Sequence, residues 1–390
     1  MKKKTLARAG IMTAGAAALT LGLVLPAAAD YAPGPGDIVG VGGDTPQFDL
    51  SFFADGDANG DPGFNSSTPI NRLVTFNATA DANARQAYTQ GSTESTPLAL
   101  NPTVVLRAGT NPVQRVPSSG AAINALLADT GTPETINFIF SASEPTQTQQ
   151  NQAGTNGWGY LHVVQIATDS VQIAADSTTN APSGLSVADL LGIYKGTYTT
   201  WNQIPGNSGG STATIVPELP PSTSAIYKTF LADLTTANGG TKPALSSSVI
   251  TVEQNDPSAI TGNSSPADAI VPFSSARLNL DLSGYFHNPA TAFPGSGPVI
   301  PTVKALTATP PDGGSAYNSQ VNHYVIFRQS DATSATPMEP GGTKNWVQTL
   351  FSNNGGAGTP AIASNTYKAL ITASGATPAY NDLGNVSSGP

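Results

Sequence analysis

The pattern of apolar and polar positions along the chain predicts strands that alternate with helices. Continuous apolar runs bounded by glycine, proline or serine are typical of buried strands. These runs lie at 102–109, 161–175, 214–219 and 321–329. Apolar residues that recur every three or four positions predict helices, several of which end in glycine. These helices are expected at 120–131, 186–196, 227–240 and 344–356. Such alternation favours an α/β architecture.

Segments rich in small and polar residues separate these elements, and we expect them to be the least regular parts of the chain. They are 54–68, 144–157, 289–317 and the C-terminal stretch GNVSSGP. A chain of 390 residues most often forms two domains. The sequence shows no internal repeat.

The first thirty residues predict export. Lysines at 2–4 and Arg8 precede an apolar run from Ile11 to Leu25, and Ala27 and Ala29 follow it. This layout is typical of a signal peptide, and we expect cleavage after Ala29. A retained membrane anchor is the alternative, but the apolar run is short for a span. The expected product is secreted, extracellular or cell-wall associated, with no membrane span after cleavage.

Charge and cysteine content exclude several classes of partner. The chain has 16 basic and 25 acidic residues, a formal net charge of −9, and four of the basic residues lie in the signal segment. Nucleic acid and anionic lipid are therefore poor partners. Charged residues make up 11% of the chain, against about 25% in soluble domains. Because cysteine is absent, disulfides, thiolate metal sites and a lipid-modified cysteine are excluded.

Three junctions between a predicted strand and a predicted helix carry hydroxyl groups. They lie at 42–46, 118–120 and 222–224. A helix N-terminus presents free backbone N–H groups and a positive dipole end, so each junction could hold an anion. Ordinary N-capping is the more common reason for such residues at a helix start.

Candidate catalytic and metal sites are weak. GNSGG at 206–210 matches G-x-S-x-G and is similar to the nucleophile loop of trypsin-like proteases, but it precedes a strand rather than a helix. The three histidines, at 162, 287 and 323, lack triad context and metal-ligand spacing. The acidic stretch at 55–61 lacks the closing glutamate of a calcium loop. We expect no catalytic residue, no metal and no cofactor, with a secreted hydrolase as the weakest alternative.

Several segments carry a family resemblance. LSVADLLGIYKGTYTTWNQIPG (185–206) resembles a helix and turn of the phosphate-binding proteins of ABC transporters, as do VEQNDPSAITGN and DAIVPFSSARLNL (252–280). RVPSSGAAINALL, INFIFSASEP and KNWVQTLF follow the actinobacterial branch of that family in the same order. The resemblance covers most of residues 37–384. It implies a type II periplasmic-binding-protein-like fold, in which two α/β lobes joined by crossover strands clamp a ligand.

The resemblance also implies a domain division. The signal peptide is residues 1–29, the first lobe begins with 30–165, and the second lobe is 166–270. Residues 271–390 hold the return crossover and a C-terminal part that belongs mainly to the first lobe. The crossover strands would be 162–174 and 268–276.

The family's ligand residues carry over only in part. Asp44 and Thr45 match its first loop, and Ser141 matches a third contact position. The resemblance places a second contact at Ser118, Ser119 and Gly120. The family's Ser-Gly-Thr-Arg helix start falls on Ser224, Ala225, Ile226 and Tyr227, of which only the serine matches. Two further arginine positions hold Phe140 and Ser143.

These departures replace charged or polar groups by neutral or apolar ones. Each lost hydrogen bond to a charged group costs about 1.5–3 kcal/mol, or ten- to a hundredfold in affinity. The expected function is extracellular binding of a small solute, phosphate or another oxyanion first, with an ABC permease as the partner the resemblance implies. The alternative is a secreted structural or cell-surface protein that keeps the fold without binding an anion.

Overall fold

The computed structural model describes residues 32–57, 60–67, 69–78, 103–282 and 303–388. The predicted signal peptide, and residues 289–302 of a predicted irregular segment, lie outside them. The strands are β1 (Ile38–Gly42), β2 (Leu73–Phe76), β3 (Thr103–Val104), β4 (Val113–Gln114), β5 (Phe138–Ser141), β6 (Leu161–Asp176), β7 (Val216–Leu219), β8 (Ile250–Thr251), β9 (Ala269–Ser274), β10 (Val303–Ala305), β11 (Asn318–Arg328) and β12 (Thr377–Gly384).

The α-helices are α1 (Gln47–Asp55), α2 (Ser119–Ala128), α3 (Gln147–Thr155), α4 (Val187–Tyr194), α5 (Ala225–Ala237), α6 (Ser258–Thr261), α7 (Ser275–Leu282), α8 (Gln329–Ala332), α9 (Trp346–Leu350) and α10 (Asn365–Ala373). Short 3₁₀ helices lie at Phe64–Ser67, Trp201–Gln203, Pro266–Asp268 and Ala361–Ala363. No helix among these described residues is long and apolar enough to cross a membrane.

One mixed sheet runs through the fold in the order β2-β1-β5-β11-β6-β9-β7-β8, and β10 and β12 also pair with β6. The strands β1, β2 and β5 are parallel to one another, as are β7, β8 and β9. The antiparallel pair β6 and β11 connects these two parallel groups. The α/β fold with joined lobes that the resemblance implies is therefore confirmed.

The pair of β6 and β11 is the structural link between the lobes. It extends from Leu161 opposite Arg328 to Gln172 opposite Asn318, with a register shift between His323 and Tyr324. The segment 268–276 leads from the second-lobe core to the first-lobe core, as the resemblance implies. Residues 303–317 then return to the second lobe. The strand β11 leads from there to the first lobe, a third connection between the lobes that the resemblance does not indicate.

Each lobe buries its own aromatic core. The first-lobe core contains Phe53, Phe138 and Phe351. The ring centroid of Phe351 lies 4.8 Å from that of Phe138 and 5.8 Å from that of Phe53. The second-lobe core contains Tyr194, Trp201 and Phe230. The helix α5 shows why the pattern predicts these elements, since three of its four buried residues, Ile226, Phe230 and Leu234, recur every four positions and form one face.

The helix α3 lies in a segment expected to be irregular. Its sequence has no apolar periodicity, but Thr146 and Gln149 form a reciprocal capping box at its start. Its buried face relies on Gln150, whose amide donates to Leu161 O (3.0 Å) and Val386 O (2.6 Å). The expectation for 144–157 is therefore wrong, because the hydrogen bonds of Gln150, together with the buried Ala153, dock this helix.

A buried ionic group lies where β11 passes from one lobe to the other. His323 Nδ1 is 2.6 Å from Asp49 Oδ2 of α1, and its Nε2 is 3.8 Å from Asp169 Oδ2 of β6. All three side chains are at most 2% exposed. Ser374 donates a hydrogen bond to Asp49, and Ser275 donates one to Asp169. The group thus joins the first lobe to both long strands.

The two carboxylates control the charge of this histidine. Burial alone would lower the pKa of His323, but the charge of Asp49, its hydrogen bond and the charge of Asp169 together raise that pKa above its ordinary value. The folded protein therefore holds a proton on His323 more firmly than the unfolded chain does.

We predict a stability that depends on this proton. A raised folded-state pKa contributes stability that is complete below about pH 6.5 and is lost as the pH rises through the folded-state value. The free energy of unfolding, measured with urea, should fall over that pH range. The variant His323→Gln should lose about 3–5 kcal/mol at pH 6, since it leaves two buried carboxylates without their cation. The free energy of unfolding of the variant should also depend less on pH than that of the parent protein. If the two proteins showed the same pH dependence, His323 would not be the group responsible.

Candidate functional site

The carboxyl ends of β1 and β5 bring the predicted first-lobe residues together. These strands are parallel neighbours, so the loops that follow them lie side by side. A Cβ at Gly43 would lie 2.7 Å from Ser119 N, so the backbone approach requires glycine. Ser119 Oγ accepts a hydrogen bond from Ala142 N (2.9 Å), the residue after Ser141. Ser141 is fully buried and donates to Ser143 O (2.6 Å).

Ser118 and Ser224 are the N-caps of α2 and α5. Each hydroxyl accepts from the backbone N–H three residues further along the chain. The backbone N–H groups of Ala122 and Lys228 donate the first intrahelical hydrogen bonds, and the carbonyl oxygens of the same two serines accept them. The N–H groups of residues 119–120 and 225–226 come before the first intrahelical hydrogen bond of each helix. They are the groups that could donate to an anion.

Asp44 is a buried carboxylate surrounded by donors of the chain itself. It accepts hydrogen bonds from Gln47 Nε2 (3.1 Å), Gln254 Nε2 (3.3 Å), Asn255 Nδ2 (2.7 Å) and Arg277 Nη1 (3.2 Å). Both of its oxygens are engaged. The contacts join the start of α1 to the loop after β8 and to α7, so Asp44 is a tie between segments of the fold.

Three of these partners carry no role in the sequence analysis. Gln254 also donates to Thr45 Oγ1 (3.0 Å), which places this second predicted residue in the same group. Asn255 has a φ of 53°, a left-handed conformation that asparagine adopts more readily than most residues. The guanidinium of Arg277 lies 4.5 Å from the centroid of the Phe48 ring. The segments QNDP (254–257) and SSAR (274–277) belong to the family-like stretches of the sequence. No local sequence pattern indicates that they contact Asp44.

The side chains at the start of α5 are apolar. Ala225 and Ile226 are buried, and they belong to the same hydrophobic cluster as Ala142 of the first lobe. Tyr227 is half-buried against that cluster. Of the ten predicted ligand residues, eight are buried, and only Gly120 and Tyr227 are not. No hydrogen bond among the described residues joins Ser224 to the first lobe; its contacts are within its own loop and helix.

A cavity of about 610 Å³ lies between the two lobes beside these helix starts. The helices α2 and α3, the segment 142–144 and β11 line one wall, and α5 lines the other. The lining residues that carry polar groups into it include Ser143, Glu144, Gln149, Lys228, Asn322 and Tyr324. Gly120 is the predicted ligand residue that belongs to this lining.

Lys228 gives the cavity its positive charge. Its Nζ lies 3.8 Å from the position a Cβ would take on Gly120, so the ammonium is next to the first turn of α2. A cation beside the positive end of a helix is unfavourable unless an anion lies between them. Among the described residues, Lys228 forms no ion pair. No sequence motif indicates Lys228, because the resemblance places the family's cation one position earlier, at residue 227.

The stretch that matches G-x-S-x-G lacks the context of a nucleophile elbow. Gly206–Gly210 forms turns between a 3₁₀ helix and β7, without the helix that a nucleophile elbow requires. Within the described ranges, no group of three or more His, Asp or Glu side chains could hold a metal ion. Residues 58 and 59 of the acidic stretch lie outside those ranges.

Solved structures of similar fold include several phosphate-binding proteins. A human phosphate-binding apolipoprotein is 18% identical over 88% of this chain and 91% of its own, with a TM-score of 0.49. The phosphate-binding protein of Stenotrophomonas maltophilia is 15% identical over 88% and 90%, with a TM-score of 0.47. An ABC-type phosphate transport receptor of Vibrio cholerae is 14% identical over 87% and 99%, with a TM-score of 0.45.

The sequence itself matches a family model. No curated protein matches the chain. The model of the PBP superfamily domain matches residues 78–354, well over half of the sequence. That range includes β5, the linking strands β6 and β11, and both walls of the cavity. The chain belongs to the PBP superfamily.

Proposed function

We propose that the protein binds a small anionic solute in the cavity between its lobes, with phosphate or another oxyanion as the recognised group. The observation that carries the proposal is the position of Lys228 Nζ beside the first turn of α2. An anion between them would accept from the Gly120 N–H and from the ammonium, and it would relieve the repulsion between that cation and the helix dipole.

Binding is expected to be modest in affinity. An ammonium is a point charge, and it lacks the paired donors with which an arginine holds an oxyanion. Asp44 and Thr45 are engaged with Gln254 and its neighbours, so they support the fold around the cavity. The ligand contacts then come from Gly120, Lys228 and the polar lining.

The wider role follows from this binding. We propose a solute-binding protein rather than an enzyme, acting outside the cytoplasm after removal of residues 1–29, with an ABC permease as its partner. The ligand would be clamped between lobe 1, which begins with 30–165, and lobe 2, which is 166–270. The remaining residues, 271–390, would hold the return crossover and belong mainly to lobe 1, whereas 303–317 pack with lobe 2.

A second candidate function rests on the start of α5. Ile226, at the position of the family's threonine, and the neighbouring Ala225 belong to the same apolar cluster as Ala142. A protein that kept the fold as a structural or cell-surface component would tolerate such a change. This candidate takes the lead if no anion binds.

The binding proposal predicts a charge-dependent affinity. In titration calorimetry at low ionic strength, Lys228→Met should weaken phosphate binding by about tenfold or more, because a hydrogen bond to a charged group is lost. Added salt should weaken binding to the parent protein more than to the variant. The control Lys242→Met removes an equal charge from an exposed position of the second lobe and should leave the affinity unchanged. Equal losses in both variants, or a parent that binds no anion, would contradict the proposal.

The buried tie at Asp44 predicts a purely structural effect. Arg277→Met should lower the free energy of unfolding by about 3–5 kcal/mol, because Asp44 stays buried without its cation. The matched control is Arg72→Met, whose ion pair with Asp55 is 3.7 Å long and about half exposed, and it should cost less than about 1 kcal/mol. Urea unfolding measures both. A stable Arg277→Met protein that lost only its phosphate affinity would show instead that Arg277 belongs to the ligand site.

A further inference from the structure

The cavity is larger than a bare oxyanion needs. Its volume of about 610 Å³ lies within the range of about 300–1,000 Å³ that sites for organic ligands occupy. At about 30 Å³ for each water molecule, it would hold on the order of twenty waters. Phosphate has five heavy atoms, so phosphate alone would leave most of this space to solvent.

One wall of the cavity is a connected series of hydrogen bonds. Gln320 Nε2 donates to Asn322 Oδ1 (2.8 Å), and Asn322 Nδ2 donates to the Tyr324 hydroxyl (3.1 Å). That hydroxyl donates to Glu144 Oε1 (3.0 Å). Burial first, and then the nearby charge of Glu144, raise the pKa of Tyr324 to about 12, so it remains a protonated donor. The series fixes the orientation of all four polar groups.

This wall presents acceptors to the cavity. Tyr324 occupies one oxygen of Glu144, and the other oxygen, Oε2, has no hydrogen bond to a described residue. The amides of Gln320 and Asn322 each keep donor or acceptor capacity beyond the bond between them. A carboxylate together with amides suits hydroxyl groups, which donate and accept at once.

The charges of the two walls differ. Lys228 lies on α5, whereas Glu144 lies on the first-lobe wall, and no ion pair among the described residues joins them. Glu144 repels a bare dianion but attracts the hydroxyl of a sugar or polyol. A zwitterionic amino acid would also satisfy both charges. The neutral groups of Ser143, Gln149 and Asn322, which outnumber the charged ones, favour a hydroxylated ligand.

We propose that the ligand is a phosphate monoester of a sugar or polyol, with its phosphate at Lys228 and Gly120 and its hydroxyls at Glu144 and Asn322. This inference rests on the proposed function, because it places the oxyanion at the same two residues. It adds the organic part of the ligand and the wall that recognises it.

Titration calorimetry with glucose 6-phosphate, inorganic phosphate, glucose and glycine tests the ligand class. Glucose 6-phosphate should bind at least about tenfold more tightly than inorganic phosphate, since it adds hydrogen bonds to the charged Glu144. Glucose and glycine should bind far more weakly. Equal affinities for the two phosphates would overturn this inference and leave the proposed function standing. Binding of glycine alone, or of none of the four, would overturn both.

The variant Glu144→Gln separates recognition from structural damage. Its amide oxygen can still accept from Tyr324, but the negative charge is gone. Glucose 6-phosphate should bind about tenfold more weakly, whereas inorganic phosphate should bind more tightly, because a repulsive charge has been removed. The control Glu339→Gln removes the same charge outside the cavity and should change neither affinity. If both ligands lost affinity together in Glu144→Gln, or if neither changed, the inference would be wrong.

Discussion

Burial of carboxylates where the lobes meet is the constraint on which the rest of the structure depends. Asp44, Asp49 and Asp169 are all withdrawn from water, and buried charge is tolerated only where it is paired and hydrogen-bonded. Arg277 and His323 supply the positive charge. Because these residues lie in the loop before α1 and on α1, β6, α7 and β11, the same interactions that satisfy the charges also fix the linking strands against the first lobe.

Ser274 connects the two ionic groups. Its backbone N–H donates to Asn255 Oδ1, the side chain that also bonds Asp44, and its hydroxyl donates to Asp169. Hydrogen bonds through the buried Asn255 and Ser274 therefore connect Asp44 to Asp169. The cavity has none of these residues in its lining, so the proposed solute contacts and the structural tie use separate side chains.

The sequence predicts elements whose signal is local, and it fails where distant segments meet. The apolar run of β6 and the periodic face of α5 depend on nearby residues, and both are confirmed. The serines 118 and 224 were expected at helix starts, and both are N-caps. The helix α3 was missed because it is docked by Gln150. The group around Asp44 joins residues more than 200 positions apart, which no local pattern encodes.

The role of Lys228 also depends on a contact between distant segments, so the sequence does not indicate it. The family resemblance directs attention to position 227, where a tyrosine replaces the expected arginine. Successive residues of an α-helix point about 100° apart, so a cation one position later faces a different direction. In this fold it faces Gly120 and the cavity, while Ile226 turns into the core. In the proposed site, the anion therefore lies between Lys228 and the start of α2, while apolar side chains fill the start of α5. The geometry of these strand–loop–helix units is set by packing and by the capping serines 118 and 224.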